Sequence, residues 1–78
     1  MPEAPLPKVL VVDDDAMNVE VLTSMLLNQG YYSNSSLGAR EGLALIEERI
    51  ELIKTGVKGA KMYELILLDY SMPGMDGP

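Results

Sequence analysis

Cysteine, tryptophan and phenylalanine are absent from this 78-residue chain, and each absence closes a route. Without cysteine no disulfide and no zinc–thiolate site can form, although that alone names no compartment. Without Trp and Phe the core lacks its bulkiest apolar fillers, and a domain of this length buries only about 60% of its unfolded surface. Apolar runs long enough to span a bilayer are also missing. The opening Met-Pro-Glu-Ala-Pro-Leu-Pro has neither the basic segment nor the apolar core of a signal peptide, so residues 1–7 read as an extended Pro-rich tail. The expectation is a soluble, cytoplasmic protein.

Basic residues are scarce. Twelve acids against six bases give a net charge of −6, and the bases are scattered along the sequence at Lys8, Arg40, Arg49, Lys54, Lys58 and Lys61. That distribution lacks a nucleic-acid footprint and disfavours an anionic membrane, whereas a divalent cation or a basic face on a partner protein suits its sign.

What the chain does contain is 47% apolar residues arranged in blocks typical of a globular domain. Lys8 to Val12 is a nearly continuous apolar stretch with three valines, the pattern of a strand covered on both faces. Asp13, Asp14 and Asp15 stop it. Asp15 is placed to cap a helix carrying Val19, Leu22 and Leu26 at helical spacing, with Val21 and Met25 beside them, and Gly30 ends that helix. Tyr31 to Ser35 is short and polar, but its two tyrosines favour a strand at the sheet edge. Ser36 or a nearby polar residue opens a second helix with Leu43, Ile46, Ile50 and Ile53 on one core-facing stripe. Glu47, Glu48, Arg49 and Glu51 are expected largely in solvent, and Gly56 and Gly59 close the helix. A short basic link, Lys58 to Met62, leads to a last strand over Tyr63 to Leu68, which Asp69 follows.

The order strand, helix, strand, helix, strand predicts a parallel sheet. If the first and third strands are neighbours, Asp13, Asp14 and Asp69 converge at their carboxyl ends, where open α/β folds bind ligands. Three carboxylates in one place repel one another unless a cation joins them, and an oxygen-only site with room for water suits Mg²⁺.

Val-Leu-Val-Val-Asp-Asp-Asp-Ala-Met-Asn near the start, Gly-Tyr after the first helix, and Ile-Leu-Leu-Asp-Tyr-Ser-Met-Pro-Gly-Met-Asp-Gly near the end resemble the response-regulator receiver domain. Residues 8–78 match its N-terminal part and lack the last two strands and helices. The resemblance implies a flavodoxin-like α/β fold, here the βαβαβ portion with three strands and two helices. It further implies a phosphoacceptor in a two-component or phosphorelay pathway, phosphorylated by a histidine kinase or phosphotransfer protein, and not a turnover enzyme. Asp69 aligns with the phosphoacceptor, Asp13 and Asp14 with the acidic pair that holds Mg²⁺, and Ser71 with the position whose backbone carbonyl completes the metal shell. The Lys, Ser/Thr and aromatic switch residues of the family have no counterpart in the sequence. The half-domain is expected to expose a sheet edge and to self-associate or pair with a complementary half.

Plainer readings stand beside each assignment. An Asp run before a helix serves as a cap, and Pro73, Gly74, Asp76 and Gly77 are ordinary turn residues. A phosphatase reading resembles the haloacid-dehalogenase signature, with Asp13 as nucleophile and Asp15 as acid. Met17 departs from that signature, and Asp69 is left without a role. An interaction fragment without chemistry and a non-specific acidic domain complete the alternatives. The residue that becomes phosphorylated separates them: Asp69, Asp13, or neither.

Overall fold

The computed structural model describes residues 6–68, in which three strands and two helices alternate: β1 (Val9–Val12), α1 (Ala16–Asn28), β2 (Ser33–Ser36), α2 (Ala39–Lys54) and β3 (Leu65–Leu68). The sheet is parallel with order β2-β1-β3, so β1 is central and β2 lies at an edge, as expected. Register pairs Val9 with Ser33 on one side and with Leu65 on the other, and Val12 with Ser36 and Leu68.

The four β1 residues are all buried because both faces of this strand are covered. Leu10 and Val12 pack with Tyr63 against Ala39, Leu45 and Ile46, while Val9 and Val11 pack with Val19 against Leu22, Leu26 and Leu67. Strand alternation therefore divides the core into two layers, α2 on one face and α1 on the other. Each fully buried aliphatic side chain stabilises this arrangement by about 1.5–3 kcal/mol.

Both helices end in the same way. The N–H of Tyr31 reaches Leu26 O at 2.8 Å and that of Gly30 reaches Leu27 O at 2.9 Å; Val57 and Gly56 repeat the pattern on Leu52 and Ile53, both at 3.1 Å. These are Schellman closures, and they require the left-handed backbone that Gly30 (φ 90°) and Gly56 (φ 78°) adopt.

Several expected boundaries move. The second strand occupies Ser33–Ser36 rather than Tyr31 to Ser35, because the closure of α1 takes up Tyr31 and leaves both tyrosines exposed. Ser36 is the last residue of β2, and the N-cap of α2 is Gly38, which offers no side-chain bond. The third strand begins at Leu65; Tyr63 precedes it and is buried, its hydroxyl accepting 2.6 Å from Asn34 Nδ2.

The core stripe of α2 is also rotated from its expected position. Leu43 is 59% exposed, and Ile50 and Ile53 also face outward, whereas Gly42, Leu45, Ile46 and Arg49 face the sheet. Gly42 sets this orientation: a Cβ there would lie 2.9 Å from Val12 Cγ2, so only glycine lets the helix approach so closely. Arg49, expected in solvent, is 4% exposed because its guanidinium stacks 4.1 Å from the centroid of Tyr63 and Nη1 donates to Lys61 O at 2.8 Å. Among the described residues no helix is long and apolar enough to cross a membrane.

Candidate functional site

The carboxyl end of β1 carries the candidate chemistry. The backbone leaves the strand at Asp13, whose N–H still donates to Ser36 O at 3.1 Å, so the first acid is fixed by the sheet itself. Asp13 is 4% exposed and its Oδ1 accepts the backbone N–H of Asp15 at 2.9 Å. That bond folds the acidic turn back on itself and leaves Oδ2 with no partner among the described residues. Asp14, next in the chain, is exposed to solvent. Asp15 is the helix cap the sequence predicts: Oδ1 accepts from Met17 N at 2.9 Å and Asn18 N at 3.4 Å.

These three neighbours divide the work by environment. Asp13 presents a held carboxylate, Asp14 a hydrated one, and Asp15 spends its acceptor on the N-terminus of α1, where negative charge also meets the positive end of the helix dipole.

A cavity of about 250 Å³ opens beside Asp13 between the ends of β1, β3 and the first turns of α1. Val12, Leu22, Leu67 and Leu68 form its apolar sides, and Asn18 supplies a second polar wall. Asn18 carries no role in the sequence reading; its place three residues after the cap, on the helix turn above the acids, was the available signal.

The register supplies the remaining geometry. Val12 pairs with Leu68, and in sequence Asp13 follows the one and Asp69 the other, so the acids expected at the site come from adjacent parallel strands. Asp69 and Ser71 lie outside the described residues, as do Pro73, Gly74, Asp76 and Gly77. Among the described residues no cluster of three potential metal ligands forms. The pair that is described has the character a hard dication requires, oxygen donors only, one anchored and one in water.

No family model matches the chain, and no solved structure matches it. Curated relatives do. The chain is 37% identical over 76 residues to Hybrid signal transduction histidine kinase L of Dictyostelium discoideum, an alignment covering 97% of this chain and 4% of the relative. It is 39% identical over 70 residues to Two-component response regulator ARR11 of Arabidopsis thaliana, covering 90% and 12%. Transcriptional regulatory protein AruR of Pseudomonas aeruginosa is 36% identical over 74 residues, covering 95% and 28%. The chain thus spans a small part of the length of these relatives, and nearly all of it aligns.

Proposed function

We propose that this chain, which belongs to the response-regulator receiver family, accepts a phosphoryl group on Asp69 from a histidine kinase or phosphotransfer protein. The observation that carries the reading is the placement of Asp13 and Asp14 at the end of the buried central strand, in parallel register with the strand that Asp69 follows. Kinases and regulators among its relatives support a signalling role, in which the group is passed on stoichiometrically rather than turned over.

Asp13 and Asp14 would hold Mg²⁺, with Asp69 and the Ser71 carbonyl completing an oxygen shell. Bound there, the ion would offset the repulsion between a carboxylate and an anionic phosphoryl group and stabilise charge on the transferring oxygens. The Asp13 to Asp15 hydrogen bond keeps one carboxylate oriented before the ion arrives, which reduces the ordering cost of binding. An Asp69 oxygen then bonds to phosphorus as the bond from phosphorus to the imidazole nitrogen breaks. The electron pair leaves with the imidazole, which takes up a proton from water.

A docking face for the donor adjoins this end of the sheet. Met17, Val21 and Met25 recur every fourth residue on α1 and are all exposed, forming an apolar strip that starts one turn from the acids. Such a strip suits a helical partner that presents a phosphohistidine.

Transfer from a phosphorylated histidine phosphotransfer protein tests the proposal. The expected product is a hydroxylamine-labile acyl phosphate that requires Mg²⁺ and is missing from Asp69→Asn. Label retained in that variant would refute Asp69 as acceptor.

A further inference from the structure

Bases scattered along the sequence converge in space at the pole opposite the acids. Because the strands are parallel, Lys8 before β1 and Glu64 before β3 mark the amino edge of the sheet, and a cavity of about 630 Å³ opens there. Four of the six basic residues of this acidic chain line it: Lys8, Arg49, Lys58 and Lys61. Glu64 also borders the cavity, but it faces Lys8 at 3.8 Å, the only ion pair among the described residues. The local charge is therefore positive against a chain total of −6.

Arg49 gives this cavity a built floor. A guanidinium has five N–H donors, and here one hydrogen bond, to Lys61 O, is formed among the described residues. The Tyr63 ring covers one face of the guanidinium plane, and among the described residues no carboxylate lies within ion-pair distance. Among the described residues no fully buried side-chain nitrogen or oxygen lacks a hydrogen-bond partner, and Arg49 lines the cavity. A cation so thoroughly withdrawn from water is stabilised by a counter-anion. The cavity walls add Val57 and Met62 beside the three exposed lysines, and its volume falls in the range of small-molecule sites.

We propose that this amino-edge cavity binds a small organic anion, a phosphate, sulfonate or carboxylate group on an apolar body. The anionic group lies against Arg49, Lys58 and Lys61, and the body lies on Val57 and Met62. The site lies at the opposite end of the sheet from Asp13 and Asp14, and the proposal is independent of the phosphoacceptor reading.

Phenyl phosphate titrated into the ¹⁵N-labelled full chain without Mg²⁺, followed by amide chemical shifts, tests it. Saturable shifts are expected at Lys58, Gly59, Lys61 and Met62, with inorganic phosphate binding more weakly. The exposed double variant Lys58→Gln/Lys61→Gln, which leaves the core untouched, should raise Kd about ten-fold. Absence of saturable shifts, equal affinity in the double variant, inorganic phosphate binding as tightly as phenyl phosphate, or shifts centred on Asp13 and Asp14 would each overturn the proposal.

Discussion

Three consecutive aspartates illustrate how position along a turn, rather than residue type, assigns a role. Asp13 is anchored by Ser36 O and by the N–H of Asp15, Asp14 projects into water, and Asp15 closes the end of α1. Removing them one at a time should give separable phenotypes. Asp14→Ala should raise the Mg²⁺ concentration needed for phosphorylation at least ten-fold, since even outer-shell changes at metal sites cost roughly 10–100-fold in affinity. An unchanged Mg²⁺ dependence would remove Asp14 from the site. Asp15→Ala should instead lower stability by about 1 kcal/mol in urea unfolding while leaving the Mg²⁺ dependence as it was. The cap at Asp15 was legible in the sequence, because an Asp between an apolar strand and an apolar-periodic helix is placed to accept from the first free N–H groups of that helix.

At the scale of elements, α2 is where tertiary packing overrides pattern. Its aliphatic residues suggest a stripe through Leu43, Ile46, Ile50 and Ile53, yet the helix rolls so that Gly42 meets Val12 and Ser36. A glycine in the first turn of a helix is a poor helix former, and the sequence offers no sign that close contact compensates for it. Arg49 was equally illegible: a charged residue is expected in water until Tyr63 and the Lys61 carbonyl, brought together by the link before β3, receive it. Gly42→Ala measures this contact. Helix propensity alone would stabilise the variant by about 1 kcal/mol, but the 2.9 Å approach to a stiff valine should reverse the sign. The net expectation is a destabilisation of about 1–3 kcal/mol in denaturant melts, typical of core overpacking. A variant more stable than the parent would show that α2 does not pack this closely.

The whole molecule is polarised along its strands. Among the described residues Asp13, Asp14 and Asp15 follow the carboxyl end of β1, Lys8, Arg49, Lys58 and Lys61 line a cavity at the amino edge, and the central strand between them is buried on both faces. The parallel order and the three-strand topology followed from the block pattern of the sequence, because a strand buried on both sides reads as a continuous apolar run. One exposed sheet edge and part of an apolar face were expected, and among the described residues Leu65, Ile66 and Leu68 of β3 are exposed. An apolar edge strand of this kind predicts concentration-dependent self-association in sedimentation velocity; a compact monomer across the accessible concentrations would contradict it.

If Asp13 and Asp14 at the end of β1 serve a phosphoacceptor at Asp69, intact mass spectrometry will show it. The chain and its Asp69→Asn variant are incubated in parallel with a small-molecule phosphodonor, with and without Mg²⁺. A single phosphoryl adduct that needs Mg²⁺ and disappears in the variant is the predicted result. An adduct that survives in Asp69→Asn, or a folded chain that gains none, would contradict it.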